Sequence, residues 1–312
     1  MTHKAGFSAA LLSIKENVLH WNAMPRPVKA TPKQPKKTSR ARSKSPSRKK
    51  AEELAFLQEH GPFDVLGDVH GCLAELLELM MALGYRVTWH TSCFAVTPPK
   101  GRKLAFVGDL ANRGPATPEV LRLVMSMVRA GQAVCAPGNQ DVVLARALKG
   151  GEVKVTAGVV RSLEQLEAEP VEFRAETAEF LDGRAGHYVL DGGNLVIAHA
   201  GLQERMHGSA SAKARKFAVN GQTTGKTDEF GLPVRYNWSA DYRGKALVVF
   251  GHTPVAEPVW LNNTVNIDTG CVYGGYLTAL RYPERETVSV PAQAVYYPSR
   301  KRFLPNKILA GR

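Results

Sequence analysis

The sequence predicts an α/β protein in which short apolar strands alternate with amphipathic helices. Apolar runs such as Phe63–Leu66 and Leu195–Ala198 have the length of buried strands, and helical periodicity appears in segments such as residues 117–130. Polar residues stand directly after several of these runs, where open α/β sheets build their functional sites. With 312 residues, the chain is long enough for one large or two small domains.

The first predicted strand, Phe63–Leu66, is joined by a tight turn at Gly67–Gly71 to a helix over Leu73–Leu83. A hairpin follows at Tyr85–Trp89 and Cys93–Val96. Further strands are predicted at Leu104–Val107, Ala133–Ala136, Leu195–Ala198, Ala246–Phe250, Thr264–Ile267 and Leu277–Arg281. Further helices are predicted over residues 117–130, from near Asp141, and through residues 150–182.

The amino-terminal segment differs sharply in charge from the rest of the chain. Residues 1–50 hold 13 of the 41 Lys and Arg residues against a single acid, Glu16, so they carry +12 of the net charge of +13. Residues 25–50 contain five prolines and almost nothing apolar, and we predict that residues 1–50 form a disordered basic arm. A solvated tether and a contact with nucleic acid both fit this arm, and we favour the contact. An amphipathic helix is expected over residues 7–21, and a short helical lead-in over residues 51–60.

The composition excludes some classes of protein. The chain has no run of eighteen apolar residues, so no transmembrane helix is expected. The run Ala9–Leu12 is too short for a secretory signal, whereas an organellar transit peptide fits the basic, acid-poor arm and stays open. The cysteines at positions 72, 93, 135 and 271 lack paired spacing, and Cys72 and Cys135 fit a core. We therefore expect a reducing compartment, the cytoplasm.

Six side chains with oxygen or nitrogen donors follow predicted strands, and they are Asp68, His70, Asp109, Asn139, His199 and His252. A lone histidine in such a place is usually structural, but three together with two aspartates and an asparagine indicate a metal site. Six such donors suit two divalent ions that share one carboxylate, an arrangement that clamps a phosphoryl group and activates water. The histidines at positions 60, 90, 187 and 207 fall in predicted loops or polar runs and receive no role.

Residues 221–227, Gly-Gln-Thr-Thr-Gly-Lys-Thr, look like a phosphate-cradling loop but do not complete its motif. The motif requires glycine at position 220, which is Asn220, and no strand precedes the segment. We expect a loop on the substrate side of the molecule instead.

With these residues in place, the chain resembles the calcineurin-like metallophosphoesterases of the phosphoprotein-phosphatase type. The motifs of that family, GDxHG, GDxxDRG, GNHE/D, HAG and GHT, occur in order at positions 67, 108, 138, 199 and 251. The resemblance covers residues 61–295, which it implies form the metallophosphoesterase domain, and leaves residues 296–312 as a tail. It implies a two-sheet α/β sandwich flanked by helices, with a binuclear metal site at the strand ends.

A narrower resemblance is to the phosphatase module of bacterial polynucleotide kinase-phosphatase, an RNA-repair enzyme. It is carried by Phe63–Cys72, Thr117–Met127, Thr223–Tyr236 and Ala246–Pro291. The kinase and ligase modules of that enzyme have no room in this chain. The resemblance therefore implies a stand-alone phosphatase module with a basic arm.

The family resemblance also implies a role for each motif residue. Asp68 and His70 would bind the first ion, Asp109 would bridge, and the second ion would be bound by Asn139, His199 and His252. Arg113 and Arg146 would grip phosphate oxygens, which suits guanidinium geometry. Asn139 and His252 are also expected to contact the substrate. Mn²⁺ is the expected ion, with Ni²⁺, Fe²⁺ or Zn²⁺ as alternatives.

Two positions depart from the family motifs. Asn112 stands where the second motif has aspartate, and Gln140 stands where the third has histidine. In the family, that pair supports the leaving-group oxygen and the attacking water, so both positions count as catalytic. Because both members are neutral amides here, we expect them to stay hydrogen-bonded to each other.

The resulting hypothesis is a binuclear-metal phosphoesterase, a hydrolase acting on phosphomonoesters or 2′,3′-cyclic phosphates of RNA ends or nucleotides. A protein serine/threonine phosphatase or a dinucleoside-polyphosphate hydrolase of the same superfamily is the first alternative. A catalytically weakened protein that binds RNA or phosphate is the second. Nothing in the sequence predicts an oligomeric state.

Overall fold

Two five-stranded β-sheets form the centre of the molecule. The computed structural model describes residues 59–90, 93–299 and 301. The strands are β1 (Phe63–Leu66), β2 (Arg86–His90), β3 (Cys93–Thr97), β4 (Lys103–Phe106), β5 (Ala133–Cys135), β6 (His187–Leu190), β7 (Leu195–Ala198), β8 (Thr223–Thr227), β9 (Pro233–Arg235), β10 (Leu247–Phe250), β11 (Val259–Leu261), β12 (Thr264–Asn266), β13 (Tyr276–Tyr282) and β14 (Glu286–Pro291).

The α-helices are α1 (Leu73–Ala82), α2 (Thr117–Arg129), α3 (Asn139–Leu148), α4 (Ala157–Glu167), α5 (Val171–Asp182) and α6 (Ala212–Asn220). Short 3₁₀ helices occupy Asp191–Gly193, Glu204–Met206, Trp238–Asp241 and Cys271–Tyr273. The predicted basic arm, the helix over residues 7–21 and almost all of the helical lead-in lie outside the described residues, as do residues 302–312 of the predicted tail.

The topology of both sheets brings strand ends to a common edge. The first sheet has the order β14-β13-β1-β4-β5, and the second has the order β11-β12-β10-β7-β6. Strands β1, β4 and β5 run parallel in the first sheet, and β7, β10 and β12 run parallel in the second. Parallel strands end at the same edge of a sheet, so the loops that follow them can build one site.

The core explains why some strands are apolar throughout. Between the sheets, buried side chains come from both layers, including Val65 and Val107 from the first and Ile197 and Val249 from the second. A second cluster packs α1 and α2 on the outer face of the first sheet, and a third packs α6 on the outer face of the second. Strands β7 and β10 are covered on both faces, which is why they lack polar alternation. The predicted two-sheet sandwich flanked by helices is confirmed.

Most predicted elements are present, with differences at their ends. The helical stretch expected through residues 150–182 is two helices, because Pro170 lacks the amide hydrogen that would continue α4 and instead precedes α5. Thr156 caps the start of α4 by accepting a hydrogen bond from the amide of Val159. Strands β6, β11 and β14 are not predicted by the sequence. His187, expected in a loop or polar run, begins β6 and is buried.

Residues 221–227 are predicted to form a loop, but most of this segment is a strand. Thr223–Thr227 forms β8 and pairs with β9 in an exposed hairpin. The prediction that Cys72 and Cys135 belong to the core is confirmed, since both are buried free thiols. Among the helices that the structure describes, none combines the length and the apolar character needed to cross a membrane.

Candidate metal centre

The loops after β1 and β4 bring Asp68, His70 and Asp109 together. One donor atom from each lies within 4.8 Å of the others. His70 Nε2 lies 3.5 Å from Asp109 Oδ2 and 3.9 Å from Asp68 Oδ2. All three side chains are buried. Two carboxylates and an imidazole form a donor set for a divalent ion.

The orientation of His70 fits a ligand that binds through Nε2. Its Nδ1 lies 2.9 Å from the carbonyl oxygen of Ala111, which can only accept, so Nδ1 carries the proton and Nε2 keeps its lone pair. The His70 amide donates to the Asp109 carbonyl at 2.8 Å. Burial, followed by the charge of Arg113, lowers the pKa of His70 to about 3, so the imidazole is neutral, as a metal ligand must be.

A second group of donors surrounds His199. Its Nε2 lies 3.2 Å from Asn139 Oδ1, 3.4 Å from Asp109 Oδ1 and 2.9 Å from His252 Nδ1. Burial lowers the pKa of both histidines, so both imidazoles are neutral. Two neutral imidazole nitrogens, an amide oxygen and a carboxylate oxygen thus face one another, an arrangement that a cation between them would satisfy.

The two donor groups share Asp109, whose Oδ2 faces His70 and whose Oδ1 faces His199. This is the position that the bridging role requires. The pKa of Asp68 is raised well above its usual value by burial and by the neighbouring charges of Asp268 and Asp109. Buried carboxylates this close together repel one another, and cations bound between them would compensate their charge. The residues present therefore fit two divalent ions.

Two motif glycines allow the loops to approach the ligands this closely. A Cβ atom at position 138 would lie 2.0 Å from Asp109 Oδ1, and one at position 251 would lie 2.1 Å from Asp68 Oδ1. Any larger residue at Gly138 or Gly251 would displace a carboxylate of the centre.

The Asp141 side chain connects the loop after β4 to the loop after β5 through hydrogen bonds. Its Oδ1 accepts hydrogen bonds from the amides of Leu110 at 2.9 Å and Ala111 at 3.2 Å, and its Oδ2 accepts from the amide of Gly138 at 2.9 Å. Burial and the Asp109 charge raise the pKa of Asp141 to about 8. Sequence reasoning placed Asp141 only at a helix start and did not identify this positioning role.

Arg113 reaches the centre from a strained loop. Asn112 and Arg113 have φ values of +70° and +73°. This left-handed turn brings Arg113 Nη1 to 2.6 Å from His70 Nε2, and the guanidinium carbon lies 5.6 Å from the centre of the Tyr273 ring. Arg146 is exposed on α3. Its predicted contact with phosphate stays a prediction.

Asp268 and Arg235 are neighbours of the centre that sequence reasoning missed. Asp268 is buried, accepts a hydrogen bond from the amide of Gly270 at 3.1 Å, and has a pKa raised by burial to about 7. Arg235 ends the β8–β9 hairpin, and its charge interacts with Asp109. It also adds to the effect of burial in lowering the pKa of His199 and His252.

The fold and these residues define a metal-dependent phosphoesterase, and comparison with known proteins agrees. The chain belongs to the calcineurin-like phosphoesterases, whose family model matches residues 61–275. The family depends on two divalent metal ions, and its chemistry is hydrolysis of phosphoric ester bonds. The predicted family and enzyme class are confirmed.

Individual relatives of this chain have names more specific than that of the family. A bis(5′-nucleosyl)-tetraphosphatase PrpE (asymmetrical) from Anoxybacillus flavithermus is 48% identical over 238 residues, which cover 75% of this chain and 96% of that protein. A relative of the same name from Bacillus subtilis is 41% identical over 244 residues, covering 77% and 98%. A crystal structure of a protein provisionally assigned as a diadenosine tetraphosphatase has the same fold, with a TM-score of 0.55 at 24% identity over 75% of this chain and 95% of that one.

Proposed function

We propose that this chain hydrolyses dinucleoside polyphosphates by cleaving a phosphoanhydride bond in a binuclear metal centre. Two observations support this choice among the hydrolases of the family. The first is that the relatives from A. flavithermus and B. subtilis are named as tetraphosphatases that act asymmetrically. The second, which carries the argument, is the amide pair formed by Asn112 and Gln140 beside the metal ligands.

The amide pair restricts the leaving groups that the centre can expel. Asn112 Nδ2 donates to Gln140 Oε1 at 3.2 Å, and neither side chain can release a proton at neutral pH. An alkoxide needs a proton as it departs, and general acid catalysis contributes about 10²–10⁴-fold to such steps. A nucleotide departs through a phosphate oxygen with a pKa of about 6, so it leaves as an anion without that help. The loss of an acid at this position therefore favours phosphoanhydrides over alkyl phosphate esters.

The remaining residues bind and orient the polyphosphate. Asp68, His70, Asp109, Asn139, His199 and His252 would hold the two ions, for which Mn²⁺ is our proposal. When bound, the ions neutralise phosphate charge and activate water. Arg113 would grip the oxygens of the reacting phosphoryl group, a role that its contact with His70 Nε2 supports. Arg235 ends the exposed hairpin, and its charge interacts with Asp109, so it would bind a further phosphate.

Hydrolysis of a panel of substrates in Mn²⁺ tests the proposal. The panel contains diadenosine tetraphosphate, RNA with a 3′-phosphate, RNA with a 2′,3′-cyclic phosphate, and a phosphoserine peptide. We expect the highest kcat/KM for the dinucleotide, with a mononucleotide and a nucleoside triphosphate as separate products on anion exchange. Asp109→Ala serves as the inactive control. A higher kcat/KM for either RNA end would restore the RNA-end hypothesis, and a higher value for the peptide would indicate a protein phosphatase.

A further inference from the structure

A second group of metal-ligating side chains lies apart from the Asp–His centre. Cys72 precedes α1, Glu75 lies in the first turn of that helix, and Cys271 begins the 3₁₀ helix Cys271–Tyr273. The two sulfur atoms and one carboxylate oxygen lie within 4.8 Å of one another. None of the three residues exceeds 2% exposure, so the cluster is shielded from bulk solvent.

The two carboxylate oxygens of Glu75 have different surroundings. Oε1 accepts hydrogen bonds from the amide of Gln293 and from the hydroxyl of Tyr296, both at 2.8 Å. Oε2 is buried and has no hydrogen-bond partner within the part of the chain that the structure describes. A buried carboxylate oxygen without a partner costs roughly 1–3 kcal/mol or more. Native proteins rarely leave such an atom unsatisfied without a bound ion or water.

We propose that Cys72, Glu75 and Cys271 form a buried site for a thiophilic divalent ion of the zinc class, separate from the phosphoesterase centre. Two sulfur ligands select zinc-like ions over Mn²⁺ or Mg²⁺, which prefer oxygen. Binding breaks the two S–H bonds, releases both protons to solvent and forms two metal–sulfur bonds, with no change of oxidation state. Three protein ligands leave the fourth tetrahedral position to a water molecule or a nearby oxygen.

The charge of the loaded site is compatible with its surroundings. Two thiolates, one carboxylate and a divalent ion leave one net negative charge. The cluster is connected through Tyr296, whose hydroxyl donates to Glu75 Oε1 at 2.8 Å, to Arg161, whose Nη1 donates to the Tyr296 carbonyl at 3.1 Å. The Arg161 guanidinium therefore supplies a positive charge beside the cluster.

A redox pair is the competing explanation for two neighbouring cysteines. A disulfide between Cys72 and Cys271 would join the same two segments, but it would leave Glu75 Oε2 without a partner. A metal ion accounts for both thiols and for the carboxylate. The site would also connect the loop of His70 to the loop of Asp268, because Cys72 follows the first by two residues and Cys271 follows the second by three.

Substitution with Co²⁺ under reducing conditions tests the proposal without relying on activity. The Asp–His centre contains no sulfur, so a sulfur-to-cobalt charge-transfer band reports only on the proposed site. We expect this band in the full-length protein and its loss in the double variant Cys72→Ser with Cys271→Ser. Cys135→Ser is the matched control, since Cys135 is another buried free cysteine outside the cluster, and it should keep the band.

A variant with both thiols intact separates loss of the site from loss of the fold. Glu75→Gln keeps an acceptor for Tyr296 and Gln293 but removes the anionic ligand. It should weaken Co²⁺ binding at this site, measured by titrating the sulfur-to-cobalt band, by at least about 10–100-fold. Far-ultraviolet circular dichroism checks that each variant is folded. A wild type without the charge-transfer band would overturn the proposal. So would a band that survives in the double variant, an unchanged Co²⁺ affinity from the band in Glu75→Gln, or a disulfide in place of metal binding.

Discussion

The side chains of Asn112 and Gln140 are joined by a hydrogen bond of 3.2 Å at the edge of the metal centre. Asn112 Nδ2 also lies 3.2 Å from the backbone carbonyl oxygen of Gln140. The backbone amide of Asn112 donates to Ser162 Oγ at 3.1 Å. The pair therefore joins the loop after β4, which also contains Asp109, to the first turn of α3. The expected hydrogen bond between the two neutral amides is present, which supports a coordinated replacement of the motif residues rather than decay.

We expect the double change Asn112→Asp with Gln140→His to raise turnover of alkyl phosphomonoesters while changing dinucleoside-polyphosphate turnover little. An imidazolium oriented by aspartate can protonate a departing alkoxide, which contributes up to about 10²–10⁴-fold. Either change alone should do less, because the two residues act as a unit. The measurement is the ratio of the two turnover rates in the wild type, both single variants and the double variant.

Two results would contradict this account of the amide pair. A wild type that hydrolyses alkyl monoesters as fast as the double variant would mean that another residue supplies the proton. Inactivity of the wild type and all three variants on every ester and anhydride, with metals bound, would favour the binding protein over the enzyme.

The bridging role of Asp109 predicts that Asp109→Ala loses metal and activity together. Asp109 offers one carboxylate oxygen to each donor group, so its removal leaves both incomplete. After Mn²⁺ loading and desalting, mass spectrometry should find close to two ions in the wild type and fewer than one in the variant. Glu179→Ala, at an exposed acid on α5, should bind as the wild type does. A metal-free wild type after loading would refute the centre itself.

The sequence alone identified the six proposed ligands because each follows a predicted apolar strand, and local patterns reveal such strands. Asp268 was missed although the same rule applies to it, since it directly follows the predicted strand Thr264–Ile267. Arg235 offered no comparable signal. It lies in an exposed hairpin, and its proximity to Asp109 depends on how that hairpin packs on the domain. Long-range pairing of this kind leaves no trace in local periodicity.

The end of β1 opposite the metal centre holds a buried charge network that predicts a large loss of stability on mutation. Asp64 is fully buried and accepts hydrogen bonds from Arg102 Nε at 3.0 Å, Tyr85 Oη at 3.0 Å and Arg281 Nε at 3.2 Å. Asp64→Ala should lower the free energy of unfolding by about 3–5 kcal/mol, because it leaves buried donors without their acceptor.

Urea denaturation at constant pH measures this change, with the m-value as a check on two-state behaviour. The matched control is Glu284→Gln, which removes the other carboxylate bound by Arg102 but at a side chain that is 41% exposed. This variant should lower the free energy of unfolding by no more than about 1 kcal/mol. Equal losses in the two variants would show that burial of Asp64 is not the source of its effect.

Deleting residues 1–50 should weaken RNA binding and reduce its dependence on salt, while turnover of a small substrate stays nearly constant. The arm carries +12 of the net charge of +13, so it would provide most phosphate contacts. Binding of a labelled RNA across a series of salt concentrations gives the slope for each protein. Equal slopes for the full-length and truncated proteins would make the arm a tether only.

Arg235 and Arg146 are two candidates for a second arginine that grips phosphate beside Arg113. The family resemblance predicts Arg146, and both side chains are exposed. Of the two, only Arg235 has a charge that acts on Asp109 and on both histidines of the second donor group. We expect Arg235→Ala to lower kcat/KM for diadenosine tetraphosphate by roughly 10–100-fold, the value of a charge-assisted hydrogen bond. Arg146→Ala should lower it by less, and Arg235→Lys should recover only part of the loss, because an ammonium cannot bind phosphate in the bidentate manner. A larger effect at Arg146 than at Arg235 would reverse the assignment.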